Sequence, residues 1–310
     1  MADDENISTR NHVLLIFASI IWGATFPAIK VVLDYIPPIV LGGVRYLIGA
    51  IPILIILAYQ KELQNSWTFF RHNWKYIVAV GIFMVTIPNI TQNIGMKFTT
   101  ASLASIIQSV GPIVVIILAV LFLSEKLNPY RIAGTAMALI ASIFLIWEGG
   151  ISVKDATVYG NVLIFISAVS YGINGAISKA ALKTHSPMVL VGYSMLIGGL
   201  ILFPISLAAN EGVDWVFEQN TLSISLILAL AIFPCFIATL IWFIVLKTLP
   251  VSKQVVYVYL IPIVAVAISI AFLDEELTPL AVVLGVVTVA GVGVAQYETN
   301  KKKSAKSPKS

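Results

Sequence analysis

Ten apolar runs of about 20 residues, separated by short polar segments, follow one another along this chain of 310 residues. Each run is close to the ~20 residues that an α-helix needs to cross a ~30 Å hydrocarbon layer. The alternating polarity of outer-membrane barrel strands does not occur in the first run. The pattern therefore predicts ten membrane-spanning helices, at 12–32, 38–59, 75–95, 101–123, 130–147, 157–181, 188–208, 222–246, 252–273 and 278–297.

The composition supports a membrane protein. Apolar residues make up 59% of the chain, charged residues only 11%, and the mean hydropathy is +0.96. Soluble domains carry about 25% charged residues, so this chain has too few to cover a surface in water. Cys235 is the single cysteine, which excludes an intrachain disulfide and a multi-cysteine metal site. The first helix follows Asp3, Asp4 and Glu5 rather than a basic region, so we expect no cleavable signal peptide.

The distribution of basic residues predicts the topology. Fifteen of the 19 Lys and Arg residues fall on one side of the predicted membrane and three on the other, while Arg45 lies inside the second helix. Lys and Arg are retained on the cytoplasmic side, so we expect both termini in the cytoplasm and the protein in the plasma (inner) membrane. The sequence pI of about 9.0 follows from this topology and does not indicate a nucleic-acid partner.

The two halves of the chain repeat each other. Shifted by 149 residues, the segment 22–49 is identical to 171–198 at ten of 28 positions. Shifted by 150 residues, 101–129 matches 251–279 at nine of 29 positions, and aligned Pro and Glu residues are among them. Shared apolar composition does not readily produce such matches. The sequence therefore predicts a cytoplasmic tail at 1–11, five-helix repeats at 12–149 and 150–297, and a basic cytoplasmic tail at 298–310.

The number of helices in each repeat determines their relative orientation. Five is odd, so the second repeat enters the membrane from the opposite side. The predicted fold class is an all-α membrane protein with ten transmembrane helices in a 5+5 inverted repeat. Secondary transporters are often built in this way, with a substrate site near the midplane between the repeats. Two similar halves can open such a site to each side in turn.

The motifs resemble those of the EamA-type drug/metabolite transporters. The chain has Trp22-Gly23 in the first helix, Arg45-Tyr46 in the second, and Phe-Leu-x-Glu-x-Leu-x-Pro closing helices four and nine. The resemblance covers about residues 12–297. It implies a ten-helix permease, and similar members export amino acids and related metabolites. Others move sugars, nucleotide precursors or drugs, so the resemblance leaves the substrate open.

Polar and aromatic residues at membrane depth are candidates for substrate binding. The clearest stripe lies on the sixth helix, where Ser167, Ser170, Tyr171, Asn174 and Ser178 share one face. Unpaired polar groups are costly in lipid, so such a stripe faces protein or water. The alternative is that these side chains only join helices. The predicted substrate-binding residues are Trp22, Thr25, Asn89, Gln92, Gln108, Tyr171, Asn174, Thr239, Trp242 and Tyr259.

Five further residues are candidates for gating or structural roles. Arg45 is the only charge well inside a helix; it could bind a substrate carboxylate, hold a helix end or extend to the headgroups. Pro112 and Pro262 occupy matching depths and are interpreted as flexible points or inherited kinks. Glu125 and Glu275 end helices four and nine, where they are either solvated or latch a gate by pairing with a basic residue.

The sequence argues against several other functions. It has no H-E-x-x-H, G-x-S-x-G or P-loop motif, and its three histidines lie in loops or at helix ends, so we expect no enzyme, cofactor or metal. A channel is harder to exclude because polar stripes also line pores. A scaffold is a further alternative, although it does not require inverted symmetry. The expected partners are the lipid bilayer and a small-molecule substrate, and the oligomeric state is left open.

Overall fold

The computed structural model describes residues 9–60, 71, 74–123, 129–147, 155–249 and 251–304, and no strand occurs in these ranges. The first five helical stretches are α1 (Thr9–Val32), α2 (Pro38–Tyr59), α3 (Trp74–Phe98), α4 (Ala101–Gln108, continuing as Gly111–Leu123) and α5 (Pro129–Ile146). The others are α6 (Ala156–Ala181), α7 (Pro187–Ala208), α8 (Thr221–Thr248), α9 (Val251–Gln254, Val255–Tyr259 and Leu260–Leu273) and α10 (Pro279–Ser304). A short 3₁₀ helix at Asp214–Glu218 lies between α7 and α8.

The predicted fold class is confirmed. Among the described residues, six helices are long and apolar enough to cross a membrane, and four shorter apolar helices accompany them. Large apolar side chains face outward along the bundle, such as Ile55 and Phe203 at about 60% exposed. In a membrane these side chains contact lipid, so their exposure carries no penalty. The last helix continues to Ser304, beyond the predicted end at 297.

Four helices depart from regular α geometry, at equivalent positions of the two repeats. A π-helical stretch at Gly81–Thr86 precedes Pro88 in α3, and another at Ala231–Ala238 contains Pro234 in α8. Proline lacks the N–H that closes the helical ladder, so the preceding turn widens. α4 breaks between Gln108 and Gly111, and α9 contains a 3₁₀ stretch at Val255–Tyr259. The sequence predicted these last two as continuous helices.

Contacts near the helix ends establish the inverted arrangement. The Lys30 ammonium, near the end of α1, donates to the carbonyls of Met96 and Thr99 at the end of α3, both at 2.7 Å. Gly160, near the start of α6, packs against Gly95, so close that a Cβ on Gly95 would lie 2.8 Å from the Gly160 carbonyl oxygen. α6 therefore begins where α1 ends, and the two helices are antiparallel. We call this end of the bundle distal, and the end at which α1 begins proximal.

The second repeat makes the same contact at the proximal end. Lys179 is equivalent to Lys30, and its ammonium donates to the carbonyls of Leu246 and Leu249, again at 2.7 Å. These two acceptors lie 150 residues after Met96 and Thr99. Each lysine thus caps the last turn of a helix whose carbonyls would otherwise have no partner in lipid.

Equivalent glycines bring the two repeats into close contact. A Cβ on Gly23 of α1 would lie 2.6 Å from Val264 Cβ of α9, and a Cβ on Gly172 of α6 would lie 2.5 Å from Val114 Cβ of α4. Small residues allow such close helix approach in membranes. Each contact joins a helix of one repeat to a helix of the other. The interface between the repeats therefore lies at the centre of the bundle.

α5 and α10 pack against each other through small residues. A Cβ on Gly291 would lie 2.8 Å from both the Gly134 carbonyl oxygen and the Ala138 amide nitrogen. This contact joins the last helix of one repeat to the last helix of the other.

Candidate functional site

A cavity of about 180 Å³ lies between the two repeats, lined by residues of α1, α2, α3, α4, α6, α8 and α9. Drug-sized ligands occupy clefts of roughly 300–1,000 Å³. The volume therefore suits a small solute.

Aromatic side chains form one wall of the cavity. The indole rings of Trp22 and Trp242 are 5.0 Å apart between centroids and inclined at 55°. The Trp22 indole N–H donates to the carbonyl oxygen of Pro234, at 3.4 Å. That carbonyl lies in the π-helical stretch of α8, and the Thr239 hydroxyl also donates to it, at 2.9 Å. The irregular turn of α8 thus helps to fix the orientation of the ring from α1, and Phe26 and Phe243 extend the apolar surface.

Arg45 provides the only charge in the described lining. It is 2% exposed, and its Nε and Nη2 both donate to Asn89 Oδ1, the former at 3.1 Å. Asn89 is held in turn by a bond from its Nδ2 to the Val85 carbonyl oxygen. The guanidinium carbon also lies 5.3 Å from the centre of the Tyr46 ring. A charge removed from water costs roughly several kcal/mol unless it is paired, and an amide oxygen compensates only part of this.

Hydroxyl and thiol groups lie beside Arg45. The hydroxyl groups of Tyr46 of α2 and Tyr171 of α6 and the thiol group of Cys235 of α8 lie close enough to interact with one another. All three residues line the cavity. This cluster connects both repeats at the wall where the charge is located.

Amide and hydroxyl groups complete the lining. Asn174 Oδ1 accepts from the Ser178 hydroxyl at 2.9 Å, and Thr25 donates to the Ile21 carbonyl of its own helix at 3.0 Å. Gln108 differs, because its Oε1 is buried and has no hydrogen-bond partner among the described residues. Buried polar atoms usually have a partner, so this oxygen is a candidate acceptor for a bound solute.

No carboxylate lines the cavity in the described part of the chain. No group of three or more His, Cys, Asp or Glu residues that could hold a metal ion occurs among the residues described. The electrostatics of the site therefore depend on one cation, several neutral hydrogen-bonding groups and aromatic rings.

The lining combines equivalent positions of both repeats. Seven repeat-related pairs contribute, namely Trp22/Tyr171, Thr25/Asn174, Phe26/Gly175, Met84/Pro234, Gln92/Trp242, Gln108/Val258 and Gly111/Ile261. The two ends of the cavity nevertheless differ. Leu246 and Val251 line it at the proximal end, whereas their equivalents Met96 and Ala101 are fully buried in packed protein. The cavity therefore extends toward the proximal end and is closed at the distal end.

Polar contacts between the repeats accompany the closure of the distal end. The Glu275 carboxylate, after α9, accepts from the backbone N–H groups of Ala101 and Ser102 at the start of α4, at 2.7 and 2.9 Å. The Glu211 carboxylate, after α7, accepts from Ile39 and Val40 at the start of α2. Both carboxylates satisfy free N–H groups at a helix N-terminus, where negative charge is favoured.

Eight of the ten predicted substrate-binding residues line the cavity: Trp22, Thr25, Gln92, Gln108, Tyr171, Asn174, Thr239 and Trp242. Asn89 and Tyr259 are buried outside the lining. Asn89 instead accepts a hydrogen bond from Arg45. Gln92 and its neighbour Asn93 are both buried, at 4% and 0% exposed. Whether a solute binds these residues stays a prediction.

The residues predicted to gate are dispersed. Arg45 and Pro112 line the cavity, whereas Pro262 is buried outside the lining. Glu275 accepts from backbone N–H groups of α4, and its charge also interacts electrostatically with the Lys30 ammonium. Its role as a gate latch stays a prediction. Glu125 lies outside the described residues.

Several residues of the lining were not predicted from the sequence, among them Tyr46, Met84, Cys235 and Phe243. Tyr46 could have been found from its position next to Arg45. The others are apolar or weakly polar, and no pattern in the sequence distinguishes them from ordinary core residues.

The comparisons with known proteins agree with the architecture. A model of the EamA-like transporter family matches residues 10–147 and 158–296. A probable amino-acid metabolite efflux pump of Escherichia coli is 26% identical over 308 residues, which cover 97% of this chain and 99% of that protein. An uncharacterized transporter of Archaeoglobus fulgidus is 27% identical over 92% of this chain and 95% of its own. A crystal structure with 17% identity has a similar fold, with a TM-score of 0.69 over 97% of this chain and 99% of that one.

Proposed function

Because the chain belongs to the EamA-like transporter family and is therefore a multi-pass membrane transporter, we propose that it exports a small amphipathic metabolite by alternating access. The cargo class is amino acids and related metabolites, as the name of the Escherichia coli relative suggests for that protein. The cargo binds in the cavity between the repeats, with its apolar part against Trp22 and Trp242. We place the protein in the plasma membrane with both termini in the cytoplasm, since 15 of 19 basic residues fall on one predicted side.

One observation carries the proposal. Equivalent positions of the two repeats line a single cavity, yet Leu246 and Val251 reach it and their equivalents Met96 and Ala101 do not. If each repeat adopted the packing that the other repeat has in this structure, the proximal end would close and the distal end would open. With the termini in the cytoplasm, the described conformation is the one that faces inward.

The test is counterflow into liposomes that contain the purified protein. Liposomes loaded with unlabelled amino acids and their derivatives are diluted into labelled solute, and its uptake is followed. A carrier gives saturable, transient accumulation that depends on solute inside. Linear uptake that is independent of internal solute would indicate a channel, and no exchange of any small solute would contradict the permease itself.

Two pairs of variants locate the site. Trp22→Ala and Tyr171→Ala remove aromatic walls of the cavity, so we expect about a tenfold or greater rise in the half-saturating concentration, with normal membrane insertion. Ile20→Ala and Ile166→Ala on the same helices are the controls, because both side chains are more than 40% exposed at the outer surface. Unchanged half-saturation in both Trp22→Ala and Tyr171→Ala would exclude the cavity as the binding site.

A further inference from the structure

The charge balance of the cavity assigns a narrower class of cargo, an inference that depends on the proposed transport function. We propose that the preferred cargo is an organic monoanion, with one carboxylate bound to Arg45, an apolar or aromatic body, and no charged ammonium group. An amino-acid derivative that has lost or acylated its amino group fits this class. A free zwitterionic amino acid fits it less well.

Arg45 is incompletely paired. A guanidinium has five N–H donors, and in the described structure Nε and Nη2 of Arg45 donate to the neutral Asn89 Oδ1. The side chain is nevertheless 2% exposed and borders the cavity. An intramembrane charge of this kind marks a functional site by default. A carboxylate of the cargo would supply the missing counter-charge with the geometry that guanidinium groups prefer.

An ammonium group of the cargo would find no counter-charge in the described lining. Among the described residues, no Asp or Glu lines the cavity, and the acceptors there are neutral amides and hydroxyls. Moving an ammonium from water into this site would leave it without a counter-charge, beside an existing cation. A monoanion instead brings the net charge of the occupied cavity close to zero. A zwitterion leaves the net charge at +1.

The remaining groups of the lining also suit an organic monoanion. Trp22 and Trp242 present adjoining rings, which suit a flat or apolar body. Gln108 Oε1 is buried and without a partner in the described structure, so it can accept from a neutral N–H or O–H of the cargo. An N-acyl amide or a hydroxyl meets this acceptor at lower desolvation cost than an ammonium.

Four solutes that share a phenyl ring test the charge preference on the unmodified protein. Counterflow in liposomes is measured with labelled N-acetylphenylalanine, phenylpyruvate, phenylalanine and phenethylamine, at a pH of 7. We expect saturable exchange of the two monoanions, with half-saturation at least tenfold lower than for phenylalanine, and no exchange of phenethylamine. If phenylalanine exchanges as well as the monoanions, this inference is wrong and the permease proposal stands. If none of these solutes or the amino acids exchanges, both are wrong.

Arg45 variants test the assigned residue. Arg45→Gln should raise the half-saturating concentration of the monoanions by tenfold or more, so that they are preferred less strongly over phenylalanine. Arg45→Lys should restore part of this preference. Lys97→Gln is the control, since Lys97 is exposed near the end of α3. Because loss of Arg45 also removes its bond to Asn89, the thermal unfolding of each variant is measured in detergent. A folded Arg45→Gln protein that still prefers the monoanions over phenylalanine would show that Arg45 does not bind the cargo carboxylate. A Gln108→Ala variant with unchanged half-saturation for N-acetylphenylalanine would show that Gln108 does not bind this cargo.

Discussion

Replacing Gly23 by Ala tests the close contact between the repeats. The added Cβ would lie 2.6 Å from Val264 Cβ and 2.9 Å from the Ile261 carbonyl oxygen. Optimal carbon–carbon contacts are about 3.5–4.0 Å, so α1 and α9 must separate by roughly 1 Å. Neither the backbone oxygen nor a Cβ can move aside by changing a rotamer. The equivalent change Gly172→Ala places its Cβ 2.5 Å from Val114 Cβ between α6 and α4, and should act in the same way.

The size of the effect follows from two opposing terms. Overpacking of a well-packed interior costs about 1–3 kcal/mol. Alanine in place of glycine recovers about 0.5–1 kcal/mol within a helix. We therefore expect Gly23→Ala and Gly172→Ala each to lower the free energy of unfolding by about 1–2 kcal/mol. This prediction concerns stability alone.

Thermal unfolding in detergent, followed by tryptophan fluorescence or circular dichroism, measures this change. Gly43→Ala is the matched control, because its Cβ would meet its nearest atoms at an ordinary 3.5 Å. It should leave the midpoint unchanged or raise it, whereas the other two variants should lower it by a few degrees. Equal midpoints for all three variants would refute the close crossings of α1 with α9 and of α6 with α4.

Three further predictions concern the ends of the helices. Lys30→Met and Lys179→Met each leave two carbonyls without a charged donor. Each should therefore lower the free energy of unfolding by about 1–3 kcal/mol, as measured by thermal unfolding in detergent. A large loss of stability in only one of the two variants would contradict the equivalence of the two lysines. Glu275→Gln should weaken the contact that closes the distal end. The rate at which an impermeant thiol reagent labels Cys235 from the distal side should then rise several-fold. The control Glu276→Gln, at an exposed neighbouring residue, should leave this rate unchanged. Burial lowers the pKa of His185, in the turn before α7, below its ordinary value of 6.5, so its neutral form is favoured in the folded protein. The free energy of unfolding should therefore decrease as the pH drops from 7 through that lowered pKa. This decrease should be smaller in the His185→Gln variant.

The sequence predicted the architecture because lipid imposes strong and repetitive constraints on a chain. Apolar runs of one length identify the spans, and the aligned pairs Gly23/Gly172 and Lys30/Lys179 identify the repeat. The structure shows why these pairs recur: the glycines permit equivalent helix crossings, and the lysines cap equivalent helix ends. Residues that make equivalent contacts in both repeats can therefore be recognised from the sequence.

The details of the cavity could not be predicted in this way. Asn89 is a polar residue at membrane depth, and only the packing of α2 against α3 reveals that it binds Arg45 rather than lining the cavity. Cys235 reaches the lining from a π-helical stretch, where the period of 3.6 residues no longer determines which face a side chain occupies. The sequence did not indicate which end of the cavity is closed, because aligned residues of the two repeats, such as Lys30 and Lys179, lie at opposite ends of the bundle.

Chemical labelling of Cys235 tests the central claim that cargo binds between the two repeats. It is the single cysteine of the chain, and it lines the cavity beside Tyr46. A small methanethiosulfonate reagent is added to liposomes that contain the protein, and both modification and counterflow are measured with and without cargo. The account predicts that modification abolishes exchange and that a transported solute slows modification, while a solute that is not transported does not. Full exchange by protein modified at Cys235, or modification at the same rate with saturating cargo, would contradict a binding site in this cavity.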